Sequence, residues 1–423
     1  MAYFLSMPGK AVLSSVSVKG KVCCIFSPFA DSEGFMNFPQ YDHHICLVSE
    51  QTLPNYLGAV VPGAAPQNVH LVVTDRMKER AGILEKALRL RGYAVTQHTL
   101  ASQEANDMIE VLDDIYEKTG SSVAINVTGG TKIMALNTVE WAGIQDNRPF
   151  LFYVDTDTKR ILQIGGQGRQ YEMTTALKLE ELIRAGTGAD ISLQKNSCLE
   201  MKQRDILERL IQLFLKNGKA LEMFNKYSKE AEYSLDTAMP SSCPQEFKQA
   251  VALAQEAGKL HIYSGKIKYE SENARFWCNG GWLEEFVQSR LYRMKSLGLI
   301  EDWACNIEIF KKQKSSTWKD NKKLPNPQNE IDAAFTAENR LFVIECKTAN
   351  LAKRNGFPPA IYKLDSLKKN IGGVFSRGMI VSVHKPRPED VQRCEDLHIE
   401  LLYGKDVPHL EEKLKNWIQN AHR

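Results

Sequence analysis

The sequence predicts an α/β protein built from three consecutive parts, and the periodicity of each part supports this class. Residues 41–170 alternate short apolar strands with amphipathic helices, which is typical of a mainly parallel, Rossmann-like sheet. Residues 171–275 have mostly helical periodicity and predict a helical or winged-helix-like linker. Residues 276–423 combine helices with a buried hairpin and predict a second α/β domain. Residues 1–40 are rich in Ser, Gly and Pro without a sustained period, so we expect a weakly ordered extension there.

Each strand of the first domain is followed by turn residues, and the helices each have one apolar stripe. The helix after the second strand has apolar residues at helical spacing and stops at Gly92. Two final strands flank the polar segment Thr156–Lys159 and predict a hairpin. The predicted strands are His44–Ser49, His70–Thr74, Tyr93–Leu100, Val123–Val127, Phe150–Asp155 and Arg160–Ile164, and the predicted helices are Arg76–Arg91, Glu104–Lys118 and Lys132–Ala142.

The linker and the C-terminal part are predicted from similar patterns. Met201–Lys216 and Phe247–Ala257 have helical periodicity, and His261–Tyr269 alternates like a single strand. From Gly280 onwards the pattern is helix, strands, helix, strand and helix.

Composition excludes several classes of protein. The chain has 423 residues with 54 Lys and Arg against 51 Asp and Glu, a formal charge of +3 that excludes a polycation but allows a local basic groove. Nine scattered cysteines without a C-x-x-C pair fit neither a disulfide framework nor a zinc knuckle, and a cytoplasmic location fits best. No apolar run approaches the roughly 18 residues of a membrane span. We therefore expect no membrane partner.

A glycine-rich loop marks a candidate nucleotide pocket where a buried strand passes into a helix. Adjacent glycines let backbone amides turn towards a ligand, and the helix N-terminus adds partial positive charge. Lys132 lies in the first turn of that helix, where a phosphate would offset its unfavourable charge. Ligands of open parallel sheets bind beyond the carboxyl ends of the strands. The predicted ligand-binding residues are Ser49, Gln51, Thr52, Thr74, Asp75, Thr128, Gly129, Gly130, Thr131 and Lys132. The alternative, a polar strand–helix turn without a ligand, stays open.

A second constellation lies on the buried hairpin of the C-terminal part. A tight turn at Glu338-Asn339 sets a register in which Asp332 lies opposite Glu345. Alternation along the strands then points Asp332, Glu345 and Lys347 to one face. Two converging carboxylates repel each other unless they are neutralised, and a hard cation such as Mg²⁺ or Mn²⁺ does so with oxygen ligands. Lys347 can then orient water while the cation stabilises charge on a phosphodiester. The alternative is a structural cluster of buried ion pairs.

Further residues are candidates for the same site. Glu284 and Glu285 open a helix, and either acid can add a third carboxylate, depending on the helix phase; Glu285 is our choice. Tyr362 and Lys363 begin a later helix and can face the same cleft. A basic segment with one aromatic suits single-stranded nucleic acid, although a solvated loop explains it equally well. That segment contains Lys311, Lys312, Lys314, Trp318, Lys319, Lys322 and Lys323.

Asp332, Glu345-x-Lys347 and the preceding helical Glu284-Glu285 resemble the PD-(D/E)xK, restriction-endonuclease-like core. Together with the loop Thr128–Lys132, the order of these motifs is similar to that of CRISPR-associated effectors with an N-terminal CARF domain. The proline of the nuclease motif is replaced by Ile331.

This resemblance implies a homodimer whose CARF domains bind a cyclic oligoadenylate, usually the tetra-adenylate, and thereby activate a nuclease in type III CRISPR antiviral defence. It also implies catalytic roles for Asp332, Glu345, Lys347 and Glu285. The expected metal ligands are Asp332, Glu345 and the backbone carbonyl of Cys346.

Two competing functions also fit the sequence. One is a DNA-repair or restriction nuclease that no second messenger controls, and the other is a non-catalytic transcription regulator with a winged-helix DNA reader. The sequence also leaves open whether the substrate is single-stranded DNA, RNA or a duplex.

Overall fold

The structure is a computed structural model that describes residues 17–18, 21–22, 37–101, 105–120, 122–195, 199–310, 327–350, 357–372 and 375–421. Most of the expected N-terminal extension and the basic segment around Trp318 lie outside these residues. Within the extension, β1 (Ser17–Val18) pairs with β2 (Lys21–Val22).

The first domain is a seven-stranded sheet with helices on both faces. Its strand order is β5-β4-β3-β6-β7-β8-β9; the first five strands are parallel and the last two antiparallel. The predicted Rossmann-like class is confirmed. The strands are β3 (His43–Leu47), β4 (Asn68–Val73), β5 (Ala94–Thr99), β6 (Val123–Asn126), β7 (Phe150–Asp155), β8 (Arg160–Gln163) and β9 (Gln170–Glu172). The helices are α1 (Leu53–Val60), α2 (Lys78–Leu90, after a short 3₁₀ turn Asp75–Met77), α3 (Ala105–Thr119) and α4 (Lys132–Gly143).

The end of the expected extension belongs to this domain. Phe38 is buried, with its ring against Phe150, Phe152 and Tyr171. Residues 37–40 are therefore anchored by aromatic packing, which the lack of periodicity before residue 41 did not reveal.

The middle of the chain combines helices with small strands. It contains α5 (Leu179–Thr187), β10 (Asp190–Gln194), α6 (Met201–Lys216), α7 (Gly218–Glu230), β11 (Asp236–Ala238), α8 (Gln245–Glu256), β12 (Leu260–Tyr263) and β13 (Lys266–Tyr269). The single strand predicted at 261–269 is a hairpin, because Ser264 and Gly265 adopt positive φ and turn the chain. The chain here forms the three-stranded sheet β11-β13-β12, and the helices α6, α7 and α8 pack on one another. β10 instead joins the C-terminal sheet.

The C-terminal domain is a mixed sheet between two helical layers. Its order is β10-β14-β15-β16-β17-β18, and β16, β17 and β18 are parallel. The strands are β14 (Asp302–Phe310), β15 (Asn329–Ala337), β16 (Arg340–Lys347), β17 (Ser376–Ser382) and β18 (Ile399–Tyr403). The helices are α9 (Glu272–Phe276), α10 (Trp282–Ser296, after the π-turn Trp277–Gly281), α11 (Phe357–Gly372), α12 (Pro388–Asp396) and α13 (Leu410–Asn420, after the 3₁₀ turn Gly404–His409). In the described part of the chain, no helix combines the length and hydrophobicity needed to span a membrane.

Candidate functional site

The β15–β16 ribbon carries the predicted acids at the end away from its turn. The two strands pair in the predicted register over five residue pairs. Glu338 and Asn339 each have φ of 57°, as a tight two-residue hairpin turn requires. The predicted register is confirmed, and it brings Asp332 and Glu345 to the same end of the ribbon.

Hydrogen bonds from backbone and lysine groups hold these acids. The N–H of Cys346 donates to Asp332 Oδ2 at 2.6 Å, and Lys347 Nζ donates to Glu345 Oε1 at 2.6 Å. Lys363 of α11 donates to both carboxylate oxygens of Glu345, at 3.1 and 3.2 Å. The Glu345 side chain is only 2% exposed. Two ammonium groups therefore compensate the burial of one carboxylate.

The electrostatics of the site show several acids crowded in a poorly solvated place. Burial, and then the charge of Glu345, raises the pKa of Asp332 to about 6. Burial, and then the charge of Asp332, raises the pKa of Glu284 to about 8. Burial opposes the charged form of Lys347, but Glu345 and Asp332 outweigh it and raise the pKa of Lys347. The ammonium of Lys347 is thus held charged between the acids.

The structure favours Glu284 over Glu285 as the third acid. The charges of Asp332, Glu345 and Lys347 all act on Glu284. Glu285 instead accepts a hydrogen bond from the indole N–H of Trp277. The sequence-based choice was Glu285, whereas the phase of α10 turns its neighbour Glu284 towards the ribbon.

The donor set suits a hard divalent cation. Asp332 and Glu345 offer carboxylate oxygens, and the backbone of Cys346 lies at the same strand end. The raised pKa values of Asp332 and Glu284 indicate that the surroundings stabilise these two carboxylates incompletely, which a cation would offset. Among the residues described, no group of three or more His, Cys, Asp or Glu side chains is arranged to hold a metal. A cation here would therefore rely on two carboxylates, a backbone oxygen and water.

The glycine-rich loop of the first domain is built tightly against β3. A side chain at position 129 would place its Cβ 2.0 Å from the carbonyl oxygen of Leu47, and Gly130 has φ of +74°. Thr131 caps α4 by accepting a hydrogen bond from the N–H of Met134 at 3.2 Å. Thr128 Oγ1 accepts from the N–H of Val154 at 2.7 Å. Only glycine fits at 129 because the loop lies directly on β3.

A pocket of about 560 Å³ opens beyond the carboxyl ends of β3, β6 and β7. Four predicted residues line it: Ser49, Gln51, Thr128 and Gly130. The pocket continues across to the C-terminal domain. Its other lining residues are Glu50, Pro54, Tyr153, Val154, Thr156, Asp157, Arg340, Phe375 and Arg377.

The other predicted ligand-binding residues do not line this pocket. Thr52 is buried and donates its hydroxyl to the carbonyl of Ala185, and Thr74 is buried. Asp75 pairs with Lys78 at 2.7 Å. Gly129, Thr131 and Lys132 belong to the loop and the start of α4, and Lys132 is exposed to solvent.

Sequence reasoning missed the residues that come from distant parts of the chain. Asp157 lies in the β7–β8 turn, and Arg340 and Arg377 lie on the C-terminal sheet. No local periodicity signals a pocket shared by two domains. The expected inward position of Lys363 is observed, whereas Tyr362 is exposed.

Two models of known protein families match separate parts of the chain. Residues 43–182 match the family model of the Card1 CARF domain. Residues 270–421 match the model of the Card1-like endonuclease domain. The chain carries a Card1 CARF domain and a Card1-like endonuclease domain. The first sheet is therefore the CARF domain, and the ribbon with Asp332 and Glu345 belongs to the endonuclease domain.

Solved structures share this fold over nearly the whole chain. Protein VC1899 from Vibrio cholerae is 20% identical and has a TM-score of 0.76, with 90% of this chain and 98% of that chain covered. Can2 from Sulfobacillus thermosulfidooxidans, solved in complex with cyclic tetra-adenylate, is 24% identical and has a TM-score of 0.70, with 89% and 97% covered. No curated protein sequence matches the chain.

Proposed function

We propose that this protein is a metal-dependent endonuclease that a cyclic oligoadenylate, most simply cyclic tetra-adenylate, activates in type III CRISPR antiviral defence. One observation carries the proposal. The catalytic ribbon has Asp332, Glu345 and Lys347 at one end, and its other end borders the CARF pocket at Arg340. The Can2 complex with cyclic tetra-adenylate supports the choice of ligand.

The ligand would bind beyond the carboxyl edge of the CARF sheet. Thr128 and Gly130 of the loop, with Ser49 and Gln51 after β3, present polar groups and backbone to the pocket. Tyr153 is 41% exposed and lines the same pocket, so its ring is available for stacking on a base.

Each residue of the endonuclease site has a distinct task. Asp332, Glu345 and the carbonyl of Cys346 would hold Mg²⁺ or Mn²⁺, which supplies Lewis-acid stabilisation of the scissile phosphate. The N–H of Cys346 fixes the orientation of Asp332. Lys347 is positioned by Glu345 to orient water or a phosphate oxygen, and Lys363 keeps the Glu345 carboxylate in place.

We also propose a homodimer that forms through α4. Ile133, Leu136 and Ile144 are 56%, 65% and 78% exposed on or just after this helix. A cyclic ligand with repeating phosphates matches a two-fold axis. The L136D variant should be monomeric in light scattering, whereas L90D, at an equally exposed leucine on α2, should stay dimeric. A monomeric wild-type protein would refute this assembly.

The function is tested by incubation with Mn²⁺, a panel of cyclic oligoadenylates, and labelled RNA, single-stranded DNA and plasmid. Cutting should require both a metal and one ligand of the panel. The E345A and K347A variants should lose at least about a hundredfold of the activity, since each removes a group that acts on charge in the transition state. Equal cutting without any ligand would favour an ungated nuclease, and full biological activity of both variants would favour a transcription regulator.

A further inference from the structure

The pocket beyond the CARF sheet contains two arginines that belong to the endonuclease domain. Arg340 is the first residue of β16, and Arg377 lies on the neighbouring strand β17. Both line the pocket together with Ser49 and Thr128 of the CARF domain. A molecule in this pocket would therefore contact both domains of one subunit.

Arg340 is buried without a full set of partners. Its side chain is 5% exposed, and its Nη2 donates to Asp157 at 2.7 Å. Among the described residues, no acceptor lies in reach of its Nε. A guanidinium has five N–H donors, and leaving one buried and unpaired is costly. The structure thus holds an arginine with unused donor capacity among the residues that line the pocket.

The two arginines bring two positive charges close together at the pocket. Burial, and then the charge of Arg340, lowers the pKa of Arg377, so the two guanidinium groups lie close enough to repel each other. Arg377 donates hydrogen bonds to the carbonyls of Ser376 and Ala421. The other acid of the pocket, Glu50, is already paired with Arg80.

We propose that Arg340 and Arg377 form a phosphate subsite of this pocket, through which the endonuclease domain itself binds the ligand of the CARF domain. The identity of the ligand as a phosphodiester rests on the proposed function. Guanidinium groups bind phosphate through paired, charge-assisted hydrogen bonds.

Asp157 holds the place of this phosphate in the free protein. Its side chain is 78% exposed, so it can return to water at little cost when an anion replaces it on Arg340. The exchange also loosens a contact between the two domains. Because Arg340 begins the strand that ends with Glu345 and Lys347, the phosphate subsite and the endonuclease site lie roughly 17–23 Å apart on one β-strand.

The test measures binding of cyclic tetra-adenylate to the full-length protein by calorimetry. The R340Q and R377Q variants should bind roughly tenfold or more weakly than wild type. D157N should bind as tightly as wild type or more tightly, because it removes the competing carboxylate but keeps Arg340. R160Q, a change at an exposed arginine of β8 outside the pocket, is the matched control.

The outcomes separate this subsite from simpler explanations. If R340Q acts only by breaking the domain contact, D157N weakens binding equally, which would overturn the proposal. Binding by R340Q and R377Q within twofold of R160Q would also overturn it.

If the wild-type protein binds no cyclic oligoadenylate, the proposed function fails, and inorganic phosphate becomes the probe. A phosphate-dependent rise in the melting temperature that R340Q abolishes then supports the subsite, and an equal rise in both proteins refutes it.

Discussion

Adjacent residues of one helix have different tasks at the endonuclease site. Glu284 and Glu285 both lie in the first turn of α10, and the charges of the ribbon act on Glu284. Glu285 accepts a hydrogen bond from Trp277 and so ties α10 to the preceding π-turn. Sequence spacing alone leaves the two acids equivalent, because both lie at the edge of the apolar stripe.

This difference predicts opposite effects of two matched substitutions. E284Q should lower ligand-activated cutting by about a hundredfold, the lower end of what a proton-transferring group contributes, because the raised pKa of Glu284 leaves it a proton to give and glutamine has none; the melting temperature should change little. E285Q should keep most of the activity but lower the stability by about 1 kcal/mol, since a charge-assisted hydrogen bond weakens. Parallel nuclease assays and thermal unfolding check both; loss of cutting in E285Q alone would reverse our assignment.

The CARF core contains a histidine whose charge is excluded by its surroundings. His44 is fully buried beside Phe38 and Phe152, and neither ring nitrogen has a partner among the described residues. Burial lowers its pKa to about 3, well below about 6.5 for an unfolded chain. Burial, and then the charge of His98, likewise lowers the pKa of His70 to about 4.

Acid should therefore destabilise this domain well before the carboxylates titrate. Protons bind the unfolded histidine first, so the stability is complete above pH 6.5 and falls as the pH drops towards the folded pKa. Between pH 6.5 and 5, His44 alone should account for about 2 kcal/mol. Between pH 7 and pH 5, the melting temperature of the H44L variant should fall less than that of the wild-type protein. The control is H409N, a change at an exposed histidine, whose melting temperature should fall as much as that of the wild type. Equal losses in all three would contradict this reading.

At the scale of elements, local patterns predicted the ribbon but not what it contacts. The turn at Glu338-Asn339 and the register follow from alternation along two neighbouring segments, and both are confirmed. The strand β10 joins β14 more than a hundred residues away, and the pocket gains Arg340 and Arg377 only through tertiary packing. Contacts of this kind leave no period in the sequence, so they could not be predicted from it.

The turn of the ribbon also attaches the endonuclease domain to the CARF domain. Asn339 is buried; its Nδ2 donates to the carbonyl of Thr175 at 2.6 Å, and its Oδ1 accepts from the N–H of Leu177 at 3.0 Å. Beside it, Lys159 of the β7–β8 turn pairs with Glu338 at 2.7 Å. The turn is thus fixed both by its backbone and by contacts with the chain that leaves the CARF sheet.

Substitutions at Asn339 should separate these two contributions. N339A loses both hydrogen bonds and places a Cβ-bearing residue without a local partner at positive φ, so we expect a loss of about 3–5 kcal/mol. N339G keeps the favourable backbone and should lose only about 2–4 kcal/mol. Denaturant unfolding measures both. If N339A were no less stable than N339G, the backbone conformation would not contribute as argued.

At the scale of the whole molecule, one apolar core joins the two domains. The cluster that contains Leu71 of β4 continues through Leu182 of α5 to Leu341 of β16. α5 contacts both α2 and α11. A subunit with such a shared core moves largely as one body, so ligand binding must act through small shifts of the ribbon or through the arrangement of two subunits.

Such coupling must be reciprocal if it acts on binding. When a ligand in the CARF pocket favours the conformation that binds nucleic acid, nucleic acid must raise the affinity for the ligand by the same factor. We expect the affinity for the ligand to rise by a factor of about 5–150, which is typical of coupling between distant sites. The E345Q variant allows this coupling to be measured, because it should bind nucleic acid without cutting it. Its affinity for cyclic tetra-adenylate is compared with and without a single-stranded DNA or RNA that the wild-type protein cuts. R340Q should reduce the coupling factor, because it removes the residue that joins the pocket to the ribbon, whereas R160Q should leave it unchanged. An affinity that nucleic acid does not change, in a protein whose cutting the ligand still activates, would mean that the ligand accelerates the chemical step alone.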